Sequence, residues 1–512
     1  MSTEDNKPVA NSGNNKVLLF SAGSLIVGGA IGAVIAYFAT KANNDASVSS
    51  ASASASSSVP PMVPGWFAER TFHENAIVCP WTTNPLNDTD CQWRKAEITR
   101  MRNAIATCEN PLAFNLEAIG HRGAALVAPE ETIKSWQIGV DSGAGFIECD
   151  AAVTKDLQLT CRHSTCDLHF TTDILTRPEM VAKCSTPFTP ASNGTAAKVN
   201  CCTYDFTMEE MSKLCSIMES GTNPKATTPD EYLVNSTPFR SVGLAKGECH
   251  KMVSHKDYLK FAKSKNVNVI PELKDTTEKG TQDFLKSKNS SIEFLADLMA
   301  SELREIGFTA PLDANFRNAK RGTIGIMQTF DRRVARYWKT SKNKDLSVEY
   351  MWESDFNSTL TEKDCDEPAD CGTDDVVLGM MNLGVELISP AFNYYVTAEN
   401  HRIVESKGSK NLKALKAKSG KNTYFGSWSL ERSGCASHYG SSNATFNAEK
   451  GLGAIGGCGW YYNTVEGEAT FGQHEDTLLM LDVLFKQVGL VGLFSDFPAS
   501  VSMYSNCILN KK

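Results

Sequence analysis

The sequence predicts an α/β protein, a (β/α)8 barrel of the TIM type with cysteine-rich insertions, preceded by one transmembrane helix. Three observations predict it. From about residue 115 onward, short apolar runs alternate with helical stretches, the rhythm of parallel strands joined by crossover helices. Long segments with clustered cysteines and little periodicity interrupt that rhythm, the longest from Ser164 to Asn266. Near the amino terminus, Val17 to Thr40 carries no charge and is long enough to cross a ~30 Å hydrocarbon layer.

Taken in order, residues 1–16 form a polar leader expected on the cytoplasmic side, and residues 17–40 form the anchor. Lys7 and Lys16 precede the span and only Lys41 follows it closely, which leaves the bulk of the chain outside or in a lumen. Cleavage near Ala39 is the alternative and makes the protein secreted. Residues 41–64 are rich in Ser, Ala and Pro, with too little apolar surface to fold, and read as a flexible stalk. Residues 65–114 form a helical, disulfide-bearing extension, with helical pattern around Trp93 to Cys108. The barrel occupies 115–510.

Its strands are expected at Leu116–Gly120, Gly145–Val153, Leu157–Arg162, Val267–Glu272, Thr323–Thr329, Ser347–Trp352, Leu383–Ile388, Tyr424–Leu430 and Val491–Ser495. That is one more than a closed eight-stranded barrel needs, so one of them is a hairpin partner or outer strand. All 16 cysteines follow the span, as expected for a chain that meets an oxidising compartment only on that side. Cys79 with Cys91, Cys365 with Cys371 and Cys435 with Cys458 are spaced to staple loops. Cys149 is expected as a buried free thiol. Sequons at Asn87, Asn193, Asn235, Asn289, Asn357 and Asn443 mark exposed loops. A net charge of −8 argues against nucleic acid as a partner.

Glu148 and Asp150 alternate with Cys149 on an apolar strand, so both project into the lumen. Two buried like charges need compensation. A divalent cation, Ca²⁺ or Mg²⁺, supplies it, since both favour carboxylate oxygens; salt bridges to a neighbouring strand are the competing solution. Glu272 closes another strand and offers a third metal ligand, with Lys274 two residues on along the same face. His121 follows the first strand and His163 follows Leu157–Arg162, giving two imidazoles to divide acid and base work, with His169 a rival for the second. Arg122 suits the equatorial oxygens of a phosphate, a salt bridge to Glu130 being the alternative, and Gly123 lets the backbone come close.

His121-Arg122-Gly123, Pro129-Glu130-Glu131-Thr132, Ile147-Glu148-Cys149-Asp150, Thr154-Lys155-Asp156, His163 and Glu272-Leu273-Lys274 resemble the glycerophosphodiester phosphodiesterases in order and spacing. Met327-Gln328-Thr329-Phe330-Asp331, Trp428-Ser429 and Phe494-Ser495-Asp496-Phe497-Pro498 are similar to that family's closing strands, and the cysteines beyond His163 resemble a disulfide-rich secreted branch of it. The resemblance covers roughly Asn115 to Ser500. It implies a barrel with an insertion after the second histidine, and hydrolysis of glycerophosphodiesters to an alcohol and glycerol 3-phosphate. It also implies metal binding by Glu148, Asp150 and Glu272, acid and base work by His121 and His163, and phosphate binding by Arg122 and Lys274. Two positions depart from the pattern. Glu131 stands where Asn is usual, which adds negative charge if it faces the site, and Ser164 follows His163 where Asp is usual. Cleavage of lysophospholipids in the manner of a phospholipase D, and a non-catalytic surface or cell-wall role on the same barrel, are the alternative functions.

Overall fold

The structure, a computed structural model, describes residues 79, 84–85, 87–236, 248–352, 373–431 and 476–510. The leader, the expected membrane span at 17–40 and the stalk at 41–64 lie outside the described residues, as do Cys365, Cys371, Cys435 and Cys458. Among the described residues no helix is long and apolar enough to cross a membrane.

Eight parallel strands close on themselves: β1 (Asn115–Gly120), β2 (Ala144–Val153), β3 (Asn268–Leu273), β4 (Ile326–Thr329), β5 (Ser347–Trp352), β6 (Leu387–Pro390), β7 (Tyr424–Leu430) and β8 (Gly492–Ser495). Each pairs with the next, and β1 pairs with both β2 and β8, so the cylinder has no free edge. Alternation then sorts side chains. On β2, Ile147, Cys149 and Ala151 pack under the outer helices while Phe146 joins the lumen cluster, which is why all ten of its residues are buried. The register carries one row around the wall, with Asp150 beside Glu272, Glu272 beside Gln328, and Gln328 beside Glu349.

The surplus strand is Leu159–Cys161, which folds back antiparallel onto β2 with Ala151 opposite Cys161. This hairpin overturns the expectation of a free thiol at Cys149, which is bonded to Cys161. Alternation does turn Cys149 away from the carboxylates, but the returning strand brings a second cysteine to the same outer face. Cys79 pairs with Cys91 as expected. The strand expected at Leu383–Ile388 forms a few residues later, because the preceding helix Thr373–Asn382 runs on until Gly384 ends it at φ +86°.

Two outer helices hold β2 in place. In α2 (Ile133–Asp141), capped by the Thr132 hydroxyl, the buried Trp136 donates its indole N–H to Glu148 O at 2.7 Å. In α3 (His255–Lys265), Tyr258 donates its hydroxyl to Ile147 O at 2.6 Å and packs its ring against Trp136. Between the hairpin and α3 lies the insertion. It has its own apolar cluster around Leu168, Phe206, Met211 and Leu214, and is stapled by Cys166–Cys202, Cys184–Cys201 and Cys215–Cys249. At the opposite end of the barrel, Cys108 below α1 (Thr89–Ala106) is bonded to Cys507 in the final helix.

Candidate active site

The carboxyl ends of β1, β2 and β3 bring His121, Arg122, Glu148, Asp150, Glu272 and Lys274 into one cluster, the end of a barrel where loops assemble chemistry. One carboxylate oxygen from each of Glu148, Asp150 and Glu272 lies within 4.8 Å of the other two, and all three residues are buried. The Nε2 of His121 stands 3.8 Å from Glu148 Oε2, and its Nδ1 meets Asp496 Oδ1 at 2.5 Å. Lys274 Nζ is 2.8 Å from Glu272 Oε1 and 4.0 Å from Asp150 Oδ1.

Arg122 reaches the cluster through an uncommon backbone conformation, φ +53°, followed by Gly123 at +92°. A Cβ on Gly123 would fall 2.5 Å from the Ser135 carbonyl carbon, so the glycine lets the turn pass against α2. The tight turn points the Arg122 N–H at Glu148 Oε2, 2.9 Å away. Its guanidinium lies between acids, with Nη1 donating to both oxygens of Glu130 at 3.0 and 3.1 Å and Nε 2.9 Å from Asp150 Oδ2. The Glu130 pairing weighed in the sequence is therefore present, alongside a direct link to the cluster.

Burial first, and then the charges of their neighbours, shift these acids. Burial, then the charges of Asp150 and Glu272, push Glu148 well above the carboxylate range. Burial raises Glu272 to about 8, with Lys274 opposing and Asp150 adding to the rise. For Asp150 burial also works upward, but Lys274, Arg122, His121 and a hydrogen bond from Glu131 outweigh it and hold the group below its usual value. Such a set, three buried hard-oxygen donors with two of them under strong mutual repulsion, fits a divalent cation.

Glu131 is fully buried against β2. Its Oε1 accepts the Asp150 N–H at 3.0 Å, and its carboxyl lies beside the Cys149 and Cys161 sulfurs. Complete burial, followed by the nearby Asp150 and Glu148, drives it toward the neutral acid. The sulfurs are joined to each other, so this second grouping is no metal site.

The backbone of His163 arrives at the same rim, because Arg162 N donates to Asp150 O at 2.6 Å while Ser164 Oγ donates to Asp275 just beyond β3. The rival His169 packs against Phe170 and Tyr232 in the insertion. Sequence reasoning gave no role to Asp496, the partner of His121, although it stands directly after the last residue of β8, the kind of strand-end acid that singled out Glu272. It likewise passed over Gln328, whose amide satisfies its neighbours when it donates to Ile270 O and Glu148 Oε1, each at 3.2 Å.

Residues 121–354 match the model of the Glycerophosphoryl diester phosphodiesterase family. The chain carries a domain of this family. As a glycerophosphodiester phosphodiesterase it is a phosphoric diester hydrolase. It is 25% identical over 289 residues to an "Extracellular protein" of Arthroderma benhamiae, covering 56% of this chain and 98% of that one. It is 33% identical over 96 residues to a glycerophosphodiester phosphodiesterase of Arabidopsis thaliana, covering 19% and 24%. A solved phosphodiesterase of Oleispira antarctica, in complex with the product sn-glycerol-3-phosphate, is similar with a TM-score of 0.38 and 11% identity over 76% of this chain and 96% of that one.

Proposed function

We propose that this phosphodiesterase hydrolyses glycerophosphodiesters to an alcohol and glycerol 3-phosphate, with a divalent cation held by Glu148, Asp150 and Glu272. The observation that carries the reading is the convergence of those three carboxylates within 4.8 Å, beside an imidazole anchored on Asp496. A cation, Ca²⁺ or Mg²⁺, would neutralise phosphate charge as it shifts in the transition state. Arg122 and Lys274 add fixed positive charge at the same edge and hold phosphate oxygens. His121 and His163 share the proton traffic. One imidazole takes a proton from the attacking oxygen, and the other gives one to the alkoxide released as the P–O bond to the alcohol breaks. Asp496 holds His121 by its Nδ1, leaving Nε2 toward the carboxylates and the reacting groups.

The purified ectodomain, from Asn43 onward, is expected to release alcohol from a glycerophosphodiester with added Ca²⁺ or Mg²⁺ and to stop with a chelator. His121→Ala and Glu148→Ala are each expected to lose at least about 10²-fold in kcat. Full activity in either variant, or in chelator, would refute the mechanism. Running a lysophospholipid beside its deacylated counterpart separates lysophospholipase D-type cleavage from the main reading.

The catalytic domain is placed outside the cell or in a lumen, anchored through residues 17–40. Six disulfides among the described residues support an oxidising compartment, and sequon residues Asn87, Asn193 and Asn289 are exposed.

A further inference from the structure

We infer that Asp275 is a positioning residue that fixes His163 against the carboxylate cluster. The inference rests on the proton-transfer role proposed for His163. Asp275 directly follows Lys274 and takes φ +51°, so its side chain leaves the end of β3 at a sharp turn. A single oxygen, Oδ2, then accepts three donors from the two residues after His163: Ser164 Oγ at 3.0 Å, Thr165 N at 2.5 Å and Thr165 Oγ1 at 2.9 Å. Hydrogen bonds to an ionised acceptor are shorter and stronger than neutral ones, and three on one oxygen form a stiff joint.

His163 is held from its other side as well. Arg162 N donates to Asp150 O at 2.6 Å, so one residue separates an anchor on β2 from an anchor on the β3 loop. The far edge of the segment is fastened by Thr203 N on Thr165 O at 2.6 Å, by Ser164 N on Asp167 Oδ2 at 3.2 Å and by Cys166–Cys202. Displacing the His163 backbone requires breaking one of these anchors. Asp275 is the only one of them that ties the histidine segment to the strand carrying Glu272 and Lys274. Ser164 supplies a hydroxyl that reaches this carboxylate, so the position directly after the histidine contributes a donor to a distant acid.

A displaced proton carrier loses rate while substrate binding changes little, and a misplacement of about 1 Å can cost about 10²-fold. In the full chain assayed on a glycerophosphodiester, Asp275→Ala is expected to lower kcat by about 10- to 10²-fold with KM within about threefold. Asp275→Asn keeps an acceptor oxygen and should recover most of that loss. The decisive comparison is the double variant Asp275→Ala/His163→Ala, which should be no slower than His163→Ala, because removing the joint cannot matter once the imidazole is gone. Multiplying losses in the double variant, or a wild-type kcat in Asp275→Ala beside a crippled His163→Ala, overturns the positioning role alone. Full activity in His163→Ala removes the proton-transfer reading and the inference together.

Discussion

Glu131 and Asp496 show how single residues set the chemistry of this pocket from outside the reacting atoms. Glu131 does what a side-chain amide oxygen would do: its Oε1 accepts the Asp150 N–H. Glu131→Gln preserves this bond and is expected to keep kcat/KM within about threefold, whereas Glu131→Ala leaves a buried N–H unpaired at a cost of about 1–3 kcal/mol in stability. Thermal unfolding of the two variants separates them. Asp496→Asn removes the charge behind His121 and should lower kcat by about 10²-fold while cation affinity, read by calorimetry, is retained. At this scale the sequence reveals which acids enter the lumen, because period two along an apolar strand sorts them. Partners are another matter. The His121–Asp496 bond joins positions 375 residues apart and depends on barrel closure, which no local pattern encodes.

The hairpin of β2 with Leu159–Cys161, and the insertion that follows, are the elements on which the local reading and the structure diverge. Strand count alone required a surplus strand, but direction cannot be read from an apolar run of three to six residues, and direction is what brings Cys161 to Cys149. Helix ends misled in a similar way at Leu383, where an apolar residue belongs to a helix terminus closed by Gly384. Inside the insertion, the short helix Leu168–Thr171 buries His169, and its Nδ1 has no hydrogen-bond partner. Burial lowers this imidazole to about 4. An unfolded histidine takes its proton near 6.5, so between those values the unfolded state binds more protons, and stability must fall as pH falls. The loss is about 2 kcal/mol by pH 5. His169→Leu should remove it, so that unfolding midpoints of the variant change less between pH 7 and pH 5 than those of the native chain. Equal acid sensitivity in the two proteins would place the lability elsewhere.

At the scale of the whole molecule, chemistry and closure occupy opposite ends of the cylinder. The carboxylates, His121 and Lys274 gather where the strands finish, while near the start of β1 Glu117 pairs with Arg317 at 2.6 Å and accepts from Ser505 at 2.9 Å. Cys108–Cys507 lies at this base and spans 399 residues of sequence. The barrel closes only when β1 finds β8, with Ala118 beside Leu493, a contact whose loop entropy is large because nearly the whole domain lies between the partners. A crosslink joining almost the same chain ends restricts the unfolded ensemble in the way that closure demands. Its expected contribution is about 2–4 kcal/mol. Cys507→Ser should therefore lower the urea midpoint and steepen the transition, because the released unfolded chain exposes more surface, and should leave kcat within about twofold at temperatures where the variant is folded. A fall in kcat under those conditions would mean that strain at the base reaches the catalytic rim along β1, whose last residue precedes His121 directly. The eight-stranded frame predicts the opposite: pairing on both sides of β1 fixes the height of His121, and the disulfide below it governs how often the frame opens.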